Sequence, residues 1–166
     1  MAAPRPDSFG LQRRRSPRLS AFGYPSEYAY SVTICTKDRA PHFANHAIGR
    51  EVARCLEDQA QLCGYRLVAY CIMPDHVHIL TGPSQAQGGM PLPRFIRQFK
   101  AAVTHRLQDG GIAGSVWQRS FYDHVLRKDE DQEQVAQYIL GNPVRQGLVQ
   151  SPGDYPLSRM FFEKLP

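Results

Sequence analysis

From Tyr28 onward the spacing of apolar residues switches between two periods, and the order of those switches limits the folds open to the chain. Tyr28, Tyr30, Val32 and Ile34 occupy alternate positions of YAYSVTICT (28–36), which predicts a strand with one apolar face. Ile48, Val52, Cys55, Leu56, Gln59 and Cys63 then recur at helical spacing, and Gly64 stands where such a helix would stop. Arg66 to Met73 is predicted as a second strand, Met-Pro-Asp as a turn and His76 to Thr81 as a third strand. GPSQAQGGMP (82–91) is a loop by composition. A second amphipathic helix starts at Leu92, with Leu92, Phe95, Ile96, Phe99, Val103 and Leu107 as its buried stripe. DGGIAG (109–114) is a second loop, Val116 to Leu126 a fourth strand, and Asp129-Glu-Asp-Gln-Glu133 sets acids at the positive end of a last helix.

A strand–helix–strand–strand–helix–strand series packs most economically as a four-stranded antiparallel sheet with two helices on one face. The expected fold is therefore α+β, a ferredoxin-like βαββαβ domain, followed by one more helix. At 166 residues and 42% hydrophobic composition, one domain with its own core is expected. No apolar run approaches the roughly 18 residues of a membrane span, and no apolar stretch follows the N-terminal arginines as a secretory signal requires. Cys35, Cys55, Cys63 and Cys71 include no C-x-x-C pair, which argues against a zinc ribbon or disulfide framework and for reduced thiols in a cytoplasm.

The formal charge of +5 is unevenly spread. Residues 1–18 hold five arginines and one aspartate, net +4, so the other 148 residues carry only +1. Residues 1–20, with Arg13, Arg14 and Arg15, are read as a basic, flexible arm ahead of a domain at 21–166. Within that domain residues 94–106 carry four positive charges and no acid, Arg94 and Arg97 opposite the buried stripe and Lys100 at its flank. Arm and helix face are both candidate polyanion contacts; a plainly solvated charged surface is the alternative for each.

On a strand, His76 and His78 share one face while Val77 and Ile79 share the other. The apolar pair belongs under the helices, so the two imidazoles project from the opposite face, within reach of one metal ion. Two histidines without a cysteine or ligating carboxylate would hold a divalent ion loosely and leave positions open, which suits chemistry on phosphate better than a structural site. Asp75, after Pro74, is read as a turn residue. In QYILGNP (137–143) Asn142 follows Tyr138 by one helical turn, on the same side, and Pro143 is expected to end the helix and leave the Asn142 amide free to reach outward. A phenol beside an amide oxygen offers a nucleophile next to a metal ligand. The same residues also suit a packing tyrosine and a helix-ending asparagine, and spacing alone leaves both open.

The order of YCIMPDHVHIL (70–80), WQRSFYDHVLR (117–127) and QYILGNPVRQGLV (137–149), with RRRSPRL (13–19) and VTICTKDR (32–39) before them, resembles the IS200-like transposases. More closely it resembles their REP-associated tyrosine transposase branch, over about Arg13 to Val149. The resemblance implies that His76 and His78 are the metal-binding histidines of an HUH motif, Asn142 the third ligand, and Tyr138 the nucleophile. It implies Mg²⁺ or Mn²⁺ as cofactor and, as partner, single-stranded DNA that folds into palindromic hairpins. The implied activity is a single-strand DNA transesterase, a transposase and endonuclease, which cuts and rejoins through a 5′-phosphotyrosine link. Such a protein is expected in the bacterial cytoplasm at the nucleoid, as a monomer or homodimer. No role is implied for His124 or Arg127, and the glutamine-rich loop 84–90 departs from the branch. Three other readings remain: a non-catalytic ferredoxin-like nucleic-acid-binding protein that stacks bases on Tyr28 and Tyr30, a metal-dependent phosphoesterase that uses water, and a relative within the family that binds its palindrome but no longer cuts.

Overall fold

The computed structural model describes residues 28–84, 90–126 and 131–161; the arginine arm with Arg13, Arg14 and Arg15, most of the glutamine-rich loop, and Arg127 lie outside them. The alternating YSVTIC run forms β1 (Tyr30–Cys35). Helix α1 (His46–Cys63) starts at Asn45, whose side chain accepts from the Ala47 N–H, and ends at Gly64, in the left-handed region at φ 72° that a helix stop of this kind requires. β2 (Tyr65–Met73) and β3 (His76–Pro83) follow, then α2 (Leu92–Asp109), β4 (Tyr122–Val125), α3 (Gln132–Leu140), α4 (Asn142–Arg145) and β5 (Ser158–Met160). No described helix is long and apolar enough to cross a membrane.

The sheet order is β4-β1-β3-β2-β5, with every pairing antiparallel, and its first four strands have the expected ferredoxin-like arrangement. Register sorts the side chains. Val32 pairs with Ile79 and Ile34 with Val77, all fully buried beneath the helices. The helices are keyed to that face by the Tyr70 hydroxyl, which donates to Glu57 of α1, and by Tyr65, stacked on Phe95 of α2 with ring centroids 4.5 Å apart. The intervening residues point the other way: Thr33 pairs with His78, and Cys35 with His76.

Four expectations change. The stretch Val116–Leu126 is not one strand: Trp117 bridges to Thr36 and Gln118 N–H donates to Cys35 O, but regular pairing resumes only where Tyr122 meets Thr33. Two more residues lie on this side than on β1 between those pairs, so Arg119-Ser-Phe121 bulges. Tyr30 is fully buried on the helix side and Tyr28 packs against the core, which removes them as a base-stacking surface. A fifth strand, β5, extends the β2 edge; three residues are too short to announce themselves by alternation. Finally, Pro143 does not stop the chain from coiling, because after Gly141 it falls in the first turn of the separate helix α4, where its missing N–H costs nothing.

Helix α3 packs across β2, β3 and β5. Ala136 and Ile139 are its buried residues, and Gln137 reaches Met160, which is in register with Ala69 on the histidine side of the sheet. The segment between α4 and β5 is tied down by the Tyr155 hydroxyl, which donates to Ile72 O, and by the Ile72 N–H, which donates to Leu157 O.

Candidate active site

The β2–β3 turn is held as firmly as the strands it joins. Thr36 donates to Asp75 O through both its N–H and its hydroxyl, each at 2.9 Å, and Phe43 N–H donates to Pro74 O at 2.9 Å. The Asp75 side chain thereby has a fixed origin. One carboxylate oxygen takes a 2.5 Å hydrogen bond from His76 Nδ1, and the other lies 3.0 Å from Arg39 Nε. Arg39 and Asp38 adopt φ of 57° and 53°, a left-handed stretch that is unfavourable for arginine and turns its guanidinium back to Asp75 and the Cys35 thiol. Burial pulls the Asp75 carboxyl upward, but the hydrogen bond from His76 and the interactions with His76 and Arg39 outweigh it and leave the carboxyl below its usual range. Asp75 therefore does more than turn the chain. The signal available in the sequence was a carboxylate directly preceding an H-x-H pair.

His76 is fully buried and His78 half-buried. Behind His78, Thr33 Oγ1 lies 3.0 Å from Nδ1. In front, the two Nε2 atoms face each other at 3.0 Å, with the rings nearly perpendicular at 87°. With each Nδ1 proton directed backward, to Asp75 and to Thr33, both Nε2 lone pairs converge on one point. Two such lone pairs repel unless a cation lies between them. Adjacent positions on an octahedral ion with ligands at about 2.1 Å are about 3.0 Å apart, so the pair fits a small divalent ion. Burial first, then its neighbours His76, Arg145 and Arg39, hold His78 well below the usual imidazole range, which favours the neutral, ligating form.

Among the described residues no three histidine, cysteine, aspartate or glutamate side chains come close enough together to hold a metal ion. Any third protein ligand from the described residues would be of another type. Asn142, 7% exposed at the start of α4, points its Nδ2 back to the carbonyls of Ile139 (3.1 Å) and Tyr138 (3.4 Å). Its amide is thus not wholly free, contrary to the sequence expectation: the donor end caps α3 and Oδ1 is the end left over.

Tyr138 is half-buried on α3, and the Arg145 guanidinium lies over its ring, 3.8 Å from the centroid. The same guanidinium donates to the Tyr138 carbonyl at 2.5 Å. Gly141 makes this possible: a Cβ there would stand 2.8 Å from the guanidinium. Arg145 went unnoticed in the sequence, although seven residues, or two turns, after Tyr138 is a spacing that returns a side chain to the same side of a continuous helix.

The basic residues of α2 lie elsewhere. Arg94 and Arg97 are exposed, whereas Lys100 is half-buried with its ammonium donating to Gln118 O at 2.6 Å, and burial lowers its pKa. Arg97, Lys100, Thr104, His105, Trp117 and Arg119 help line an open groove of about 500 Å³. α2 covers the face opposite the histidines, so the structure brings His76 and His78 together, sets the helices bearing Tyr138 and Asn142 on their side of the sheet, and leaves Arg94 and Arg97 on the far side, with Lys100 reaching the end of β1 near Cys35.

Residues 25–142 match the family model described as transposase IS200 like. A Haemophilus influenzae protein provisionally named as a REP-associated tyrosine transposase is 30% identical over 142 residues, covering 78% of this chain and 77% of that protein. The REP-associated tyrosine transposase of Escherichia coli K12 is 30% identical over 95 residues, 57% of this chain and 53% of its own. Among solved structures, a REP-associated tyrosine transposase bound to a REP hairpin superposes with a TM-score of 0.67 over 82% of this chain and 79% of that one; at 19% identity this speaks for the fold. A provisionally named transposase from Deinococcus radiodurans, 25% identical, gives a TM-score of 0.51 over 72% of this chain and 92% of its own. The histidine pair, the tyrosine helix and the sheet that joins them thus stand in a chain that belongs to the IS200-like transposase family, in its REP-associated tyrosine transposase branch.

Proposed function

We propose that this protein is a metal-dependent single-strand DNA transesterase that cuts and rejoins hairpin-bearing DNA. The observation that carries the reading is the opposed Nε2 pair of His76 and His78, backed by Asp75 and Thr33, on the sheet face that also receives the tyrosine helix. His76 Nε2, His78 Nε2 and Asn142 Oδ1 are the atoms that would hold the ion. Bound Mg²⁺ or Mn²⁺ supplies positive charge to a non-bridging phosphate oxygen and offsets the charge that builds during transfer.

The remaining work falls to the chain's own residues. Tyr138 Oη attacks the phosphorus; an Oη–P bond forms as the P–O3′ bond breaks, the phenol gives up its proton, and the leaving 3′-oxygen takes one to become a hydroxyl. The 5′-phosphotyrosine link preserves the ester for rejoining, so the reverse step restores the strand and the phenol. Arg145, pressed on the ring and bonded to the Tyr138 carbonyl, fixes the direction from which Oη approaches. Arg13, Arg14, Arg15, Arg94 and Arg97 neutralise phosphates away from the cut. Lys100 does so less, its ammonium being engaged with Gln118.

The test uses a labelled single-stranded hairpin oligonucleotide and Mn²⁺, with a denaturing gel as readout. The full-length protein is expected to give a denaturation-resistant adduct and Tyr138→Phe none, while that variant still binds the DNA. An adduct of equal yield from Tyr138→Phe sinks the assignment of the nucleophile, and equal cleavage in EDTA sinks the metal.

A further inference from the structure

Tyr122 is 67% exposed, and it is the only exposed aromatic among the large apolar side chains that the described residues leave open to solvent. Its position is specific. β4 is an edge strand, and Tyr122 pairs with Thr33, which in turn pairs with His78. Residues directly opposite one another project to the same side, so Tyr122, Thr33 and His78 form a row across the histidine face. Two inter-strand spacings separate Tyr122 from His78, roughly 10 Å.

No packing demand explains a phenol ring there. α3 covers the β2, β3 and β5 side of this face, whereas Tyr122 stands at the opposite edge of the sheet. Arg119, exposed and without an ion pair among the described residues, lies in the bulge just before it and continues toward the groove shared with Arg97. An exposed aromatic ring with a cation three residues earlier in the chain, a short reach from the proposed phosphate-handling centre, matches the recognition chemistry of an unpaired nucleotide: a base on the ring, a phosphate on the guanidinium.

We infer that Tyr122 is a base-stacking platform which grips an unpaired nucleotide close to the scissile phosphate and leads the strand from the histidine site over the β4 edge toward Arg119. This rests on the transesterase reading and adds where the strand runs. Stacking on an aromatic side chain tolerates any base, so the platform fixes the strand's path without choosing its sequence.

The experiment replaces each unpaired position beside the hairpin in turn with 2-aminopurine, whose fluorescence is quenched on stacking, and titrates with full-length protein without divalent metal. Quenching is expected at one position with the parent protein, absent with Tyr122→Leu and restored with Tyr122→Trp. In a parallel titration read by fluorescence anisotropy of an end-labelled hairpin, half-saturation should require about tenfold more Tyr122→Leu protein than parent protein, within the range that loss of one stacked base gives. That penalty should disappear when the same position of the DNA is made abasic. Equal binding by Tyr122→Leu, or a penalty that persists on abasic DNA, overturns the platform. Because the readout is binding, it is separate from adduct formation: a parent protein that quenches but forms no adduct sinks the transesterase reading and leaves the strand path standing.

Discussion

The two faces of the sheet were built under different demands. Beneath α1 and α2, Val32, Ile34, Val77 and Ile79 exclude water completely, and the polar Tyr70 hydroxyl is matched by Glu57. On the other face, residues one step along the same strands are Thr33, Cys35, His76 and His78, and the polar ones are joined to one another instead of being buried in hydrocarbon. Every inward methylene of the first face contributes to stability, about 0.8 kcal/mol each. The second face spends part of its burial on two imidazoles and a carboxylate whose arrangement has no evident packing benefit. Perturbing the first face should therefore register in unfolding, and perturbing the second in chemistry.

The largest expected effect is at His76. His76→Ala removes one of the two converging nitrogens, and cleavage of a hairpin oligonucleotide in Mn²⁺ should fall by about a thousandfold or more, as loss of several kcal/mol of electrostatic stabilisation implies. DNA binding at matched ionic strength should change little. If His76→Ala and the parent cleave equally, the contrast between the faces has no chemical content.

A smaller effect is expected one step back. Asp75 accepts from His76 Nδ1 and fixes which nitrogen faces forward. Asp75→Asn keeps the shape but weakens that orientation, and the Mn²⁺ concentration for half-maximal cleavage should rise about 10- to 100-fold, the usual cost of losing such a partner. At saturating Mn²⁺ much of the rate should return. A drop that no Mn²⁺ concentration relieves would assign Asp75 to the turn alone.

How much of this was legible in the sequence follows from the range of the interactions involved. Local periodicity carries strands and helices, so β1, α1, the β2–β3 pair and α2 were readable, and strand parity alone assigned His76 and His78 to the face away from the helices. Arg39 was not readable: it reaches Asp75 through a left-handed backbone at 38–39 that no residue pattern announces, since neither residue is glycine. Arg145 was hidden by the expectation that Pro143 ends the helix; the chain instead coils again as α4 and returns Arg145 over Tyr138. Tyr122 lay in the expected strand Val116–Leu126, of which only Tyr122–Val125 pairs regularly; the two extra residues at 119–121 leave its parity unchanged, and what alternation could not announce is that this ring stands on an edge strand with no described helix over it.

The smallest effect probes the apolar side, where Gly49 of α1 is buried against Leu157. A Cβ at 49 would lie 2.4 Å from Leu157 Cδ1, and Leu157, 2% exposed, has little room to withdraw. Two opposed effects then compete. Alanine favours the helix over glycine by about 1 kcal/mol, whereas overpacking costs about 1–3 kcal/mol, so Gly49→Ala should lose between nothing and about 2 kcal/mol in denaturant unfolding. The sign of the coupling is sharper than the size of the loss. Leu157→Ala should cost clearly less in the Gly49→Ala background than in the parent, because the new methyl occupies space that the leucine vacates. Metal-dependent cleavage, measured well below the unfolding midpoint, should match the parent in both single variants. Additive stability losses would mean that the contact relaxes elsewhere, and a cleavage defect in Gly49→Ala would mean that the two faces are not independent.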